Sequence, residues 1–384
     1  MVGSGQKRYL FRDLEKDLAK KMVFVGGPRQ VGKTTLALAL GGSNPEWPPT
    51  YFNWDFDEHR RLLLSNRLPA TPSTLILDDI HKYGKWKSFV KGLYDTQRAH
   101  LRILVTGSAR LDVFRRGGDS LLGRSHYWRL HPFGLDEIPA GMTASEALGR
   151  LMTVGGFPEP FLDGDVVEAK RWRRQRLQRV VRDDIRDLEP IRNMSGLELF
   201  LDSLRQRVGG SVVLSNIAGD LQVAPKTLAH WLTLFEKMYL VFVVKPFVAG
   251  VPRAIQKPPK VYFFDNADVI GDDGARFENL IASHLLKRIH FLEDSKGDTY
   301  GLHYLRDKDK REVDFVVTRD GMVDALIEVK LRDTKPSTSL LHFASKLRPR
   351  RVVQIVAEAP FSTREGNVDI VPAREFFADI RRPL

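Results

Sequence analysis

Gly27-Pro28-Arg29-Gln30-Val31-Gly32-Lys33-Thr34 spells G-x-x-x-x-G-K-[ST] without a gap, with Thr35 following. Such a run can bind the phosphates of a nucleotide. Glycines let successive backbone N–H groups face phosphate oxygens, and a helix N-terminus adds partial positive charge. Lys33 would reach the β- and γ-phosphates, and the Thr34 hydroxyl would take a position on Mg²⁺. The expected cofactors are therefore ATP and Mg²⁺. Two adjacent carboxylates, Asp78 and Asp79, close the apolar run that starts at Ser73. At a strand end beside the loop, Asp78 would hold Mg²⁺ and Asp79 would orient the attacking water. A further apolar run, RILVTGS, ends so that Thr106 or Ser108 would face the γ-phosphate.

These groups need a scaffold that brings strand ends together, and the surrounding pattern supplies one. Met22 to Val25 reads as a buried strand and Thr35 to Leu40 as a helix closed by Gly41 and Gly42. Tyr51 to Asp55, Ser73 to Asp79, Arg102 to Ser108 and His126 to Leu130 read as further strands. Helices are expected over Glu58 to Leu64, Lys87 to Asp95 and 109–122. Alternating strands and helices, with polar residues at the strand ends, predict an α/β fold with a parallel doubly wound sheet. Ahead of it, Leu10, Leu14 and Leu18 recur at i, i+4, i+8 within an amphipathic helix over 7–20.

With 384 residues the chain is long enough for several cores. It has no cysteine, which rules out disulfides, thiolate metal sites and cysteine nucleophiles. No apolar run approaches the roughly 20 residues of a membrane helix, and no secretion signal is visible, so a cytoplasmic protein without a membrane partner is expected. Sixty Lys and Arg against 48 Asp and Glu give a net charge of +12, which favours an anionic partner, DNA first.

Four stretches, GPRQVGKTT, LILDDIHKYGKWKSFVKGLYD, ILVTGSAR and LLGRSHYWRLHPFGLDEI, resemble the AAA-type ATP-binding proteins that carry a C-terminal domain of unknown function (the DUF4143-like kind). The resemblance runs over nearly the whole chain. It implies a P-loop AAA+ ATPase domain over 1–140 and a helical lid over 141–195. It also implies Ser108 as a sensor and Arg124 as a finger reaching a neighbouring subunit's nucleotide. A homo-oligomer follows, with a hexameric ring among the forms it allows. Asp79 departs from the Glu usual at its position, and a shorter carboxylate there bears on the rate of hydrolysis.

The rest of the chain carries weaker patterns. GGFPEP at 155–160 reads as a loop, and KRWRRQRLQRVVRDDIRDL at 170–188 as a solvated helix face of mixed charge. Leu214 to Met238 reads as two helices, the second starting at Pro225, followed by the strand Tyr239 to Phe247. That is a winged helix-turn-helix pattern over 196–255, with Lys226, Thr227 and His230 on a mildly basic recognition face. From 256 to 384, a helix carries Glu278, a strand EVDFVV carries Asp314, and a strand ALIEVK carries Glu328 and Lys330 on one face. This order resembles the PD-(D/E)XK nuclease core. In that resemblance Asp314 and Glu328 would bind Mg²⁺, Glu278 would assist, and Lys330 would steady the water or the scissile phosphate.

Three functions are compatible with these patterns. The first is a Mg²⁺-dependent, ATP-hydrolysing AAA+ protein acting on DNA by remodelling, translocation or branch processing. The second is a regulatory nucleotide switch whose winged helix binds protein. The third is an ATP-gated nuclease.

Overall fold

The computed structural model describes residues 8–107, 121–248 and 257–382. Two compact units share the chain, one ending at His131 and the other beginning at Pro132. In the first, β1 (Met22–Gly26), β2 (Pro49–Asn53), β3 (Ser73–Asp78), β4 (Leu101–Thr106) and β5 (Ser125–Arg129) form one parallel sheet in the order β2-β3-β4-β1-β5. β1 is buried at every position, and β3 and β4 at all but one each. That is the pattern of parallel strands covered on both faces. Phe24, Leu75, Leu77, Ile103 and Val105 meet Trp54, Trp86 and Val90 in one core. Helices α1 (Phe11–Leu18), α2 (Lys33–Gly41), α3 (Asp57–Leu64) and α4 (Trp86–Gln97) belong to the same unit. The predicted leucine stripe is buried, with Phe11 beside it. Ser108, and all but the last two residues of the helix expected over 109–122, lie outside the described residues.

This strand order has one consequence for chemistry. β4 lies between β1 and β3, so the C-terminal end of β4 separates the loop after β1 from the carboxylate ending β3. Val25 pairs with Thr106, and Thr106 pairs with Asp78.

The second unit starts with helices: α5 (Ala144–Thr153), α6 (Pro158–Asp163), α7 (Val166–Gln178), a π-helical segment (Arg179–Asp184), α8 (Ile185–Leu188), α9 (Met194–Arg205), α10 (Leu214–Leu221) and α11 (Pro225–Lys237). Next come a hairpin of β6 (Val241–Pro246) and β7 (Lys260–Phe263), the long helix α12 (Asp273–Lys296), and β8 (Tyr300–Arg306), β9 (Glu312–Arg319) and β10 (Met322–Lys330). The unit closes with α13 (Thr338–Leu347), β11 (Arg351–Val356), β12 (Thr363–Glu365), β13 (Val368–Pro372) and α14 (Ala373–Phe376). Its eight-stranded mixed sheet has the order β12-β13-β11-β10-β9-β8-β6-β7. β8, β9 and β10 form an antiparallel meander, while β10 and β11 run parallel. No helix among the described residues is long and apolar enough to cross a membrane.

Two expectations are corrected. GGFPEP is a loop only as far as Phe157, because α6 begins at Pro158. A proline at the first helical position has its φ already set and gives up an N–H that the helix does not use. The Arg-rich run is not wholly a solvated face, since Arg176 is buried and donates to Asp268 at 2.6 Å with Asp265 at 3.5 Å. Its guanidinium also lies 4.4 Å from the Phe157 ring centre. Arg173, from the same helix, donates to the Ala267 carbonyl.

Candidate functional site

The loop after β1 takes its shape from backbone conformations that its residues permit. Gly27 has φ +142°, and a Cβ there would lie 2.3 Å from the Leu130 carbonyl oxygen, so only glycine fits. Gly32 turns the chain into α2 with φ +93°. Lys33 opens that helix, is buried, and donates to the Pro28 and Gly27 carbonyls at 2.6 and 3.1 Å. Arg8 braces the loop from outside its own sequence: one guanidinium nitrogen donates to the Val31 carbonyl at 2.8 Å and the other to the His131 carbonyl at 2.5 Å.

Asp78 stands at the centre of the strand ends. Its Oδ2 accepts from Thr34 at 2.8 Å and from the Tyr51 hydroxyl at 3.0 Å, and its Oδ1 accepts from Thr106 at 2.6 Å. Burial, followed by the Asp78 charge, pushes the Tyr51 phenol up, which keeps it a donor. Thr34 and Asp78 are thus neighbours, as two groups sharing one divalent ion must be, and these residues fit Mg²⁺. Thr106, weighed beside Ser108 as the strand-end polar residue, reaches Asp78 directly.

Asp79 has φ +56° and leads into a short 3₁₀ turn, Ile80–Lys82. Its carboxylate lies 3.2 Å from Lys82 Nζ, which also contacts Asp55 at 2.5 Å. Burial raises its pKa, but His81, Lys82 and Lys33 more than offset this and hold it below the ordinary carboxylate value. Asp79 follows Asp78 at the strand end, while Lys82 gives it a competing partner.

Arg124 precedes β5, whose first residue pairs with Met22 at the start of β1. It therefore sits at the sheet edge opposite the phosphate loop, about 16 Å away for a five-residue strand. There it forms a two-pronged pair with Asp95, at 2.8 and 3.3 Å. It does not reach its own chain's loop.

In the second unit α12, β9 and β10 bring Glu278, Asp314, Glu328 and Lys330 together. Asp314 accepts from the Val329 N–H at 2.8 Å, and Lys330 Nζ lies 2.8 Å from Glu328 Oε1. Burial, then the charges of Glu278 and Glu328, pushes the Asp314 carboxyl well above its ordinary value. Burial likewise raises Glu328, although Lys330 opposes it. The sequence reading missed three members of this cluster, Lys260, Tyr262 and Glu312. Lys260 contacts Glu312 at 2.6 Å and Glu278 at 3.2 Å, and the Tyr262 hydroxyl donates to Glu278 at 2.6 Å. Among the described residues, no trio of acidic or histidine side chains converges in the manner of metal ligands.

Comparison with known proteins assigns these regions to recognised segments. An AAA domain profile matches residues 19–139, and profiles of two domains of unknown function, DUF8612 and DUF4143, match 145–267 and 273–376. The uncharacterised proteins Rv2008c of Mycobacterium tuberculosis and Mb2031c of Mycobacterium bovis are each 24% identical over 244 residues, which is 64% of this chain and 54% of theirs. The match thus spans about half the length of these curated relatives. Among solved structures, the Thermotoga maritima RuvB Holliday junction branch migration motor is 17% identical with a TM-score of 0.32, over 65% of this chain and 88% of its own. The Aeropyrum pernix ORC1 protein in complex with DNA is 12% identical with a TM-score of 0.34, over 75% and 95%. Scores of this size do not establish a shared arrangement. The profile matches do follow the architecture, since the first covers the parallel sheet with its loop and the last runs from the start of α12 to the end of α14. Residues 19–139 thus carry an AAA domain, followed along the chain by two domains of unknown function.

Proposed function

We propose that this protein hydrolyses ATP with Mg²⁺ at the loop after β1 and couples turnover to DNA bound by its second unit. The observation that carries the first half is the Asp78 carboxylate held between the Thr34 and Thr106 hydroxyls. Bound Mg²⁺ would neutralise charge on the β- and γ-phosphates, with Thr34 and Asp78 as the residues holding it. The chain's own groups do the rest. Lys33 exchanges two loop carbonyls for phosphate oxygens, the loop N–H groups hold the phosphates, and Asp79 orients the attacking water. Arg124 serves a neighbouring copy's nucleotide, which makes the active form a homo-oligomer.

The DNA half rests on charge and on α9 to α11 with the β6–β7 hairpin, an arrangement that fits a winged helix. The outward face of α11 offers Lys226, His230, Thr233, Glu236 and Lys237, and His230 already lies 2.7 Å from Glu189. Such a face has little with which to read base edges, so contacts fall mainly on phosphates and binding weakens steeply as salt rises. ATP turnover measured with single-stranded, duplex and branched DNA tests this. Stimulation by at least one DNA is expected; absence of DNA binding at low salt, by anisotropy, would overturn it.

The Lys82 contact of Asp79 favours a second reading, in which ATP is turned over slowly and its binding controls assembly with a protein partner. ATP-dependent assembly without any DNA stimulation would select that switch.

A further inference from the structure

The carboxylate cluster of the second unit contains its own cation. The helix and strands that carry Glu278, Glu312, Asp314, Glu328 and Lys330 are α12, β9 and β10, but Lys260 arrives on β7, from the hairpin that precedes them. Its side chain is only 2% exposed. The ammonium lies 2.6 Å from Glu312 Oε1 and 3.2 Å from Glu278 Oε1, and 5.5 Å from the centre of the Tyr304 ring. Burial works against its charge, yet Glu278, Asp314 and Glu312 together hold its pKa above the ordinary lysine value. The Glu278 oxygen that meets Lys260 also accepts from Tyr262, so it already serves two donors. Across the cluster, Lys330 takes Glu328 Oε1, while Glu328 Oε2 is buried without a hydrogen-bond partner.

A divalent cation held by protein acids needs their free oxygens turned toward one point, at about 2.0–2.1 Å for Mg²⁺, with water completing its shell. Here Glu278 and Glu312 turn oxygens toward Lys260, Glu328 turns one toward Lys330, and Asp314 turns one toward the Val329 N–H. The two occupants compete for Glu278, and a buried ammonium with two carboxylate partners is costly to displace. The unpartnered Glu328 oxygen shows that the donor set has capacity left over, which is what a site relieved of Lys260 would use.

We propose that Lys260 is the resident cation of this cluster and keeps divalent metal out, so that the Glu278, Asp314 and Glu328 carboxylates bind a divalent ion only when the Lys260 ammonium is removed. The cluster in the parent chain is then a closed metal site, and a metal-dependent nuclease activity has no place in it while the β6–β7 hairpin stays as it is.

Mn²⁺ binding to the full chain, followed by electron paramagnetic resonance without nucleotide, tests this. Comparison with Glu328→Gln isolates the cluster from any metal held at the phosphate loop. The parent and Glu328→Gln are expected to bind alike at millimolar Mn²⁺. Lys260→Met, which keeps most of the side-chain volume against Tyr304, is expected to gain an additional Mn²⁺ at an affinity at least roughly tenfold above the parent's. Adding Glu328→Gln to it should remove that gain. Glu328-dependent Mn²⁺ binding by the parent would overturn the proposal. So would a Lys260→Met chain that keeps the parent's thermal transition and gains nothing. If Lys260→Met does not fold, Lys260→Gln takes its place, and the parent comparison remains decisive without either variant.

Discussion

Asp78 in the first unit and Glu278 in the second are both acids at the heart of a polar cluster, but their partners differ in charge. Asp78 is held by three neutral hydroxyls, from Thr34, Tyr51 and Thr106, and has no ion pair among the described residues. Its negative charge is positioned and left uncompensated, which suits a site that receives a cation together with a nucleotide. Glu278 is held by a buried ammonium and a phenol, and its neighbours Glu312 and Glu328 have ammonium partners as well. Acids in both places are fixed to within hydrogen-bonding distance. Only in the first does the fixing leave charge to spend on a ligand.

On this contrast the largest loss comes from Lys33, the lysine of the phosphate loop. Lys33→Ala removes the mobile charge that meets the β- and γ-phosphates, and ATP turnover should fall by a factor on the order of 10³ or more. Turnover at the parent rate would mean the loop does not bind phosphates in a productive way.

The next effect belongs to Arg124. Its position at the opposite sheet edge predicts no role within its own subunit and a large one in trans. Arg124→Ala should bind ATP yet hydrolyse it on the order of 10³-fold more slowly, the low end for arginine fingers. Parent turnover per subunit should rise with protein concentration, and mixing Arg124→Ala with Asp78→Asn should restore part of the activity. No restoration, with a monomeric mass in ATP, would confine the site to a solitary chain.

Asp79 tests the boundary between the two modes, because it stands in the first site yet has a lysine partner as the acids of the second do. Asp79→Asn should leave nucleotide affinity unchanged and slow hydrolysis about 10²-fold, the low end for loss of a water-orienting group. An unchanged rate would assign Asp79 to Lys82 and His81 alone and favour the nucleotide switch.

The contrast also explains which parts were legible in the chain. The phosphate loop lies in one unbroken run, and its glycines and lysine are needed by local geometry, so eight residues suffice to read it. Asp78 was legible because it ends an apolar strand. Thr106 was read from its strand end beside Ser108, whereas Arg8 and Tyr51 complete the same site through contacts set by sheet order and chain path, and the Arg8 contacts span 23 and 123 positions. Glu278, Asp314, Glu328 and Lys330 were found from their order, but Lys260, which pairs with Glu278, is one of two lysines in an unremarkable stretch, KPPKVYFF. Arg176 was hidden among surface arginines because its acids lie 89 and 92 positions away. Charge alternation along a helix shows that it is amphipathic; it does not show which cation turns inward.

Arg176 and its acids give the smallest of these effects and the most direct measure of the compensated mode. Asp265 and Asp268 have side chains only 1% exposed, and Gly155 comes so close that a Cβ there would meet Asp265 Oδ1 at 2.0 Å. Burial and the neighbouring Asp268 charge push Asp265 up to about 7, against the pull of Arg176. In the unfolded chain the same carboxyl titrates near 3.8. Between those values the native state holds more protons than the unfolded state, so stability falls as pH rises through the window and levels off above it. One group can contribute at most about 1.4 kcal/mol per pH unit, and about 1 kcal/mol per unit is expected here between roughly pH 5 and pH 7. Asn in place of Asp265 is neutral at every pH and should remove that part of the slope. Hydrogen exchange of α7 amides, compared between the parent and Asp265→Asn across this range, reads the difference within the second unit. Equal slopes would mean that Arg176 holds both aspartates ionised, and that even two acids on one buried guanidinium are fully compensated.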